Sequence, residues 1–111
     1  MIGKDMMKGS TALLALGVLS GGEQYGYQMI TTLKQQSDGT FDLKEGTLYP
    51  VLHALENDGA IESVWRDSEE GRRRKYYRIT KKGGKLLAQK KQEWAAYARA
   101  VDKVIGGACH A

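Results

Sequence analysis

The apolar residues of the chain recur at helical spacing in its first half. The segment from Thr11 to Ser20 is apolar on nearly all sides, which predicts a buried helix with Ser10 or Thr11 as its cap. A second helix is predicted from about Tyr25 to Gln36, because its apolar residues lie three and four positions apart. The sequence therefore begins with two helices joined by a short glycine-containing turn.

A third helix is predicted to begin between Lys44 and Thr47 and to end at Asp58, before Gly59. Pro50 is compatible only with a position near the start of this helix. Three leucines at spacing i, i+4 and i+7 mark the side that faces the core: Leu48, Leu52 and Leu55.

After the third helix the hydrophobic period changes to two. Residues 61–66 alternate, a second alternating run ends at Ile79, and the polar segment 67–71 separates them. This pattern predicts a β-hairpin with a long polar tip. Thr80 is then expected to cap a final helix from about Lys81 to Ile105. The predicted fold is mainly α with a small β-hairpin: a winged helix-turn-helix over residues 1–79, and a C-terminal dimerisation helix with a short tail over 80–111, in one structural domain.

Length and composition agree with one globular domain. The chain has 111 residues, of which 41% are hydrophobic and 27% charged. Its longest apolar run, Ala12 to Leu19, is shorter than the ~20 residues that cross a bilayer, so no membrane association is predicted. Lys4 and Lys8 before this run weakly imitate a secretory signal, but no small-x-small cleavage site follows it. The single cysteine, Cys109, excludes an internal disulfide and favours a reducing, cytoplasmic location.

The basic residues are concentrated in one part of the chain. The net charge is +4, but eleven Lys and Arg oppose only three Asp and Glu between Arg66 and Lys91. A one-sided positive field is typical of a protein that binds a polyanion, and double-stranded DNA is the predicted partner. The alternative is a solvated basic face without a partner.

The segment from Tyr25 to Asp58 is interpreted as the helix-turn-helix, whose second helix enters the major groove of DNA. Thr47 and Tyr49 are then placed to donate to phosphate oxygens, and His53 to reach a base edge or a phosphate. Two alternatives remain open: Tyr49 packs against the hairpin, and His53 is an ordinary surface histidine.

The hairpin carries four consecutive cations, Arg72 to Lys75. Because Glu69 and Glu70 offset only part of this charge, phosphate is the expected partner of the remainder, and guanidinium groups suit narrow minor grooves. The alternative is a basic loop held by carboxylates of the same chain. The predicted DNA contacts are Tyr27, Lys44, Thr47, Tyr49, Pro50, His53, Arg72, Arg73, Arg74 and Lys75.

The start of the final helix contains two lysines and two glycines, at positions 81–84. Cations in a first helical turn oppose the helix dipole, and each glycine costs about 1 kcal/mol of helix propensity. The sequence therefore predicts that Lys81 and Lys82 interact with an anion outside the chain.

The final helix carries an apolar stripe at seven-residue steps. This stripe is interpreted as the seam of a two-fold homodimer, because the short first helix is not expected to cover it. The alternative is that the helix folds back against the first helix of its own domain. The predicted dimer contacts are Leu87, Trp94, Tyr97, Val101, Val104 and Ile105.

Trp94 lies on the same stripe, so two-fold symmetry would bring two indoles close to the axis. A planar aromatic effector is predicted to stack between them, with Leu14 as an apolar wall. The alternative is that Trp94 fills the dimer core.

The sequence gives little support for catalysis. His53, Cys109 and His110 are too few and too scattered for a metal site or a nucleophile–base pair. No catalytic residue, metal or cofactor is therefore predicted, and the chain is not expected to be an enzyme.

Four motifs stand out in the sequence: Tyr25-Gly26-Tyr27, Gly46-Thr47-Leu48-Tyr49-Pro50, Leu55-Glu56-Asn57-Asp58-Gly59, and the run from Gly71 to Thr80. Taken together, they resemble the signatures of PadR-type transcriptional regulators, and the resemblance covers roughly residues 13–94. The single short C-terminal helix is similar to the compact branch of that family. Ala60 stands where the family more often has leucine, and Arg73 where it commonly has proline.

The resemblance implies a dimeric repressor whose third helix and wing bind a pseudo-palindromic operator. It also implies release by small aromatic ligands, as in at least some members of the family. The alternative hypothesis is a basic winged-helix module that binds nucleic acid or another partner without responding to a ligand.

Overall fold

The computed structural model describes residues 4–106, with side chains from Ser10 onwards. It confirms a mainly helical fold with a small antiparallel sheet and a long C-terminal helix. Cys109 and His110, which the sequence excluded from any site, lie outside the described residues. The elements are α1 (Lys4–Leu19), β1 (Gln24–Tyr25), α2 (Gly26–Gln36), α3 (Glu45–Asn57), β2 (Ile61–Asp67), β3 (Arg73–Ile79) and α4 (Lys81–Val104).

The first helix begins earlier than predicted. Helix α1 starts at Lys4, so Ser10 and Thr11 lie inside it, and the prediction that one of them caps the helix is wrong. Thr11 is instead buried, with 1% of its surface exposed. Residues 4–9 have no clear apolar period, but a helix that has already nucleated gains one hydrogen bond for each residue added.

The sheet has three strands rather than two, in the order β1-β3-β2. Strands β2 and β3 form the predicted hairpin, from the pair Ile61 and Ile79 to the pair Asp67 and Arg73. The additional strand β1 has only two residues, and Tyr25 lies opposite Tyr76 of β3. It joins the start of α2 to the outer edge of the wing.

The core lies between α1, α2, α3 and the base of the hairpin. The three leucines of α3 are at most 4% exposed, as their spacing predicted. Tyr77 of β3 closes the core from the side of the sheet and is 2% exposed. The opposite side of α3 is therefore free for another role.

The first two turns of α4 pack tightly against the domain. Thr80 caps the helix, because its Oγ1 accepts from the Gly83 amide at 3.1 Å. A Cβ at Gly83 would overlap the carbonyl oxygen of Ala60, so only glycine fits there. Lys82 Nζ donates to the Asp58 carbonyl at 2.5 Å. The interpretation of these positions as a sign of an external anion is therefore corrected for Lys82 and Gly83, which have partners inside the domain.

Leu87 is buried within its own protomer, with 6% of its surface exposed. Leu86 beside it is half-buried against the same core. The prediction that Leu87 lies in a dimer seam is therefore corrected. The alternative, in which the helix folds back on its own domain, holds for this first part of α4.

Candidate nucleic-acid interface

Helix α3 presents an exposed face opposite its buried leucines. Gly46, Pro50, His53 and Asn57 lie on this face and are exposed, and Thr47 is exposed at its edge. The helix packs against the core through its buried leucines, so these exposed side chains are accessible to a partner. Helix α3 is thus anchored through its buried side, and its exposed side is accessible to a groove of DNA.

The starts of α2 and α3 border a groove of about 470 Å³. Tyr27 on one side is 61% exposed, and Lys44 on the other carries a side chain that is 81% exposed. The Lys44 ammonium lies 3.9 Å from a carboxylate oxygen of Asp42, which is a weak surface pair. Both predicted contacts are thus accessible, on the same side of the domain as the start of α3.

Tyr49 is half-buried, and it packs over the first residue of α2. A Cβ at Gly26 would overlap the Tyr49 hydroxyl, so the glycine permits this close approach. Burial raises the pKa of Tyr49, and the nearby Glu45 and Tyr77 raise it further. The structure thus favours the alternative that Tyr49 packs inside the protomer, where it fixes α3 relative to α2.

The tip of the wing is a tight turn that leaves two arginines exposed. Ser68 accepts from the Gly71 amide at 2.9 Å and donates its own amide to the Arg72 carbonyl at 2.6 Å. Among the residues that the structure describes, neither Arg72 nor Arg73 has a carboxylate partner for its side chain. These two arginines are therefore the part of the basic run that carboxylates of the protein leave uncompensated.

Arg74 is held inside the protomer. Its guanidinium lies 4.3 Å from the centre of the Tyr25 ring and 3.2 Å from Glu70 Oε2. Tyr25 in turn meets Tyr76 edge-on, with ring centres 5.4 Å apart. Arg74 therefore fastens β1 to the wing, as the alternative with intramolecular carboxylates proposed.

Lys75 is also paired within the protomer. Its Nζ lies 3.4 Å from Glu56 Oε1 and 5.3 Å from the centre of the Tyr77 ring. The partial offset expected from Glu69 and Glu70 is thus made by Glu70 at Arg74, and Glu56, which the sequence analysis did not consider, offsets the charge of Lys75. Whether Arg74 and Lys75 touch DNA stays a prediction.

Glu56 connects α3 to both strands of the hairpin. Ser63 of β2 donates to its Oε2 at 2.6 Å, and Lys75 of β3 donates to its Oε1. The pKa of Glu56 is lowered mainly by the Ser63 hydrogen bond, with help from Lys75 and His53, against a smaller opposing effect of burial. Sequence analysis missed this residue, although an acidic side chain one position after a core leucine was a visible signal.

The second half of α4 exposes large apolar side chains. Trp94 is 50% exposed and stacks on Tyr97, with ring centres 6.0 Å apart. Val104 and Ile105 are 85% and 65% exposed, and with Val101 they border a shallow apolar groove of about 260 Å³. Leu14, the predicted wall of an effector slot, lies half-buried against the core of the domain.

The exposed α3, the basic wing tip and the long final helix together define a winged-helix transcriptional regulator. The chain belongs to the PadR-like family of transcriptional regulators, whose family model matches residues 15–89. This family consists of transcriptional regulators, which are generally not enzymes.

Solved structures and a curated relative support this assignment. A transcriptional regulator from Clostridium thermocellum superposes with a TM-score of 0.85 at 34% identity, over 93% of this chain and 97% of that one. A PadR-like transcriptional regulator from Bacillus cereus has a TM-score of 0.79 at 32% identity, over 92% and 97% of the two chains. A transcriptional regulator of Mycobacterium tuberculosis is 39% identical over 70 residues, which are 63% of this chain and 62% of that protein.

The described part of the chain shows neither a membrane-spanning helix nor a metal-binding cluster. No helix there is long and apolar enough to cross a membrane. The same residues contain no group of three His, Cys, Asp or Glu side chains that is arranged to hold a metal ion.

Proposed function

We propose that the protein is a cytoplasmic, homodimeric repressor that binds a pseudo-palindromic operator. In this proposal the exposed face of α3 lies in the major groove, and Arg72 and Arg73 contact phosphates at the adjacent minor groove. The observation that carries it is the pair of unpaired arginines at the tip of a wing that is fastened to α3. A helix that enters a groove of DNA is flanked by phosphates, and two cations without a partner in the protein can bind them.

The DNA contact is tested by salt dependence. Operators are first obtained by selecting bound fragments from genomic DNA, and affinity is then measured at 50 and 200 mM salt. Each lost phosphate contact should reduce the slope of log K against log salt by about 0.9, so replacing Arg72 and Arg73 with alanine should remove about 3.6 in a dimer. His53→Ala should instead change the preference among sequences. An unchanged slope in the double variant would contradict the proposed wing contact.

Dimerisation is supported by the apolar second half of α4, which one protomer leaves exposed. To meet successive major grooves, the two copies of α3 in the dimer must lie about 34 Å apart, so a monomer cannot fill both half-sites. Val101→Asp introduces a carboxylate into the proposed seam and should produce monomers that lose specific DNA binding. Ala96→Asp is the matched control, because this exposed residue lies about 140° around the helix from Val101. Sedimentation showing equal dimerisation of both variants would contradict the seam.

The effector is the second part of the proposal. Trp94 is half exposed and already stacked on Tyr97, so a planar aromatic molecule has an aromatic surface to bind between two protomers. Trp65→Phe leaves Trp94 as the only tryptophan, whose emission then reports on the site. Planar cationic dyes or flavin-like aromatics should quench this emission and weaken operator binding together. Quenching without a change in DNA binding would instead favour the basic module without ligand response.

A further inference from the structure

Glu56 is an acidic residue in a surface that the proposed function places against DNA. An unpaired carboxylate there would be repelled by phosphates. In the structure it is not unpaired, because it accepts hydrogen bonds from Ser63 and from Lys75 on the two strands of the wing. Its side chain and that of Lys75 are each 31% exposed, so the pair is partly shielded from solvent.

Lys75 has a second tie that holds it in this place. Its ammonium lies over the ring of Tyr77, which is buried in the core. Moving Lys75 to a phosphate would separate it from this ring and would leave Glu56 with an uncompensated charge. The pair is close to neutral as a unit, so it releases no counterions from DNA.

We propose that Glu56 is a positioning residue that fixes the wing against α3 and withholds Lys75 from the phosphate backbone. The basic run then divides into two tip arginines that bind DNA and a lysine that sets the angle of the wing. This inference rests on the proposed function for its DNA contact, whereas the fastening of the wing can be measured without DNA.

The first test compares salt slopes on a random-sequence duplex. Glu56→Gln combined with Lys75→Met keeps the aliphatic stem over Tyr77 and removes both charges of the pair, so no unpaired carboxylate faces DNA and we expect an unchanged slope. Arg73→Met is the matched control at the tip, and it should reduce the slope by about 0.9 per protomer. For a dimer, the loss of affinity between 50 and 200 mM salt should then be roughly 12-fold smaller than in the wild type. A Glu56→Gln, Lys75→Met double variant that loses as much slope as Arg73→Met would overturn the inference.

Glu56→Gln tests the same pair from the other side. It preserves the size of the side chain and an acceptor for Ser63, but it releases the charge of Lys75. Non-specific binding should become more salt-dependent, by about 0.9 in slope per protomer, and adding Lys75→Met should return it to the wild-type value. If Glu56 had a purely structural role, adding Lys75→Met would not return the slope to the wild-type value. A double variant as salt-dependent as Glu56→Gln alone would therefore contradict the inference.

The second test uses amide hydrogen exchange without DNA. Glu56→Gln should make the amides of β2 and β3 exchange about fivefold faster, because the wing has lost an attachment to α3, while amides of α1 should stay unchanged. Equal protection of the hairpin in both proteins would overturn the positioning role. An unchanged slope in Arg73→Met, with faster exchange in Glu56→Gln, would contradict the proposed DNA contact and leave the positioning role supported.

Discussion

The two halves of α4 are one continuous helix with opposite surroundings. In the first half, Gly83 touches the Ala60 carbonyl and Leu87 is buried in the core. In the second half, Trp94, Tyr97 and Val104 are half exposed or more. The first half is thus part of the winged-helix domain, and the second half extends beyond it with an apolar surface that the protomer leaves uncovered.

The same seven-residue apolar repeat thus contributes to the domain core in the first half of α4 and forms an exposed surface in the second half. Leu87, Trp94 and Val101 follow at seven-residue steps, so they occupy the same side of the helix. The period alone does not tell where the domain ends and the free helix begins. That boundary depends on how far α1 reaches along α4, which is a property of the packed structure.

The largest expected effect is at Gly83, where the first half of α4 meets the domain. Gly83→Ala would place a methyl group against the Ala60 carbonyl, which has no room to move because it accepts the Thr80 amide at 3.1 Å. We expect the free energy of unfolding to fall by about 3 kcal/mol or more, measured by denaturant titration.

Gly84 provides the matched control for this substitution. It is exposed, and a Cβ there would meet nothing within 4 Å. Gly84→Ala should therefore stabilise the protein by about 0.5–1 kcal/mol through helix propensity alone. Similar effects of the two substitutions would show that the contact with Ala60 does not determine the position of α4.

The next effect is at Leu87, which belongs to the core of the protomer. Leu87→Ala should lower the free energy of unfolding by about 2–3 kcal/mol, because it removes buried methyl groups and leaves a cavity. The loss should be the same at every protein concentration, since it does not involve a second copy. A loss of stability that appears only at high protein concentration would indicate that Leu87 lies in the dimer seam.

Val104 should behave in the opposite way. It is 85% exposed in one protomer, so Val104→Ala should change the stability of a dilute sample by less than about 0.5 kcal/mol. At concentrations where dimers form, the unfolding midpoint should fall relative to wild type, because less apolar surface is buried between the protomers. A midpoint that matches wild type at all concentrations would place Val104 outside any interface.

The sequence predicted the elements that have a clear period. The leucine stripe of α3 and the two alternating strands were predictable because each repeats over several residues. Strand β1 was not, because two residues cannot show alternation. Its existence depends on Tyr25 meeting Tyr76 and Arg74 from a distant part of the chain.

The position of the candidate site could be predicted from the sequence. Which of its cations are paired with carboxylates could not. The run from Arg72 to Lys75 reads as four equivalent cations in sequence. Alternation along β3 and the positions of Glu56 and Glu70 decide which of them are paired. Partners separated by 19 residues, as Glu56 and Lys75 are, come together only through the fold.

The smallest expected effect concerns Lys82, which lies in the first turn of α4. Its Nζ donates to the Asp58 carbonyl, and this bond joins the end of α3 to the start of α4. Because the contact is exposed, Lys82→Ala should cost only about 0.5–1 kcal/mol of unfolding free energy. Lys81→Ala, in the same turn and also exposed, removes no such bond and serves as the reference variant in thermal or denaturant unfolding. Lys81 and Lys82 both carry their charge in the first turn, so the dipole affects them similarly and the difference isolates the hydrogen bond. Equal stability of the two variants would mean that Lys82 gains nothing from Asp58, and its position against the helix dipole would again call for an anion outside the chain.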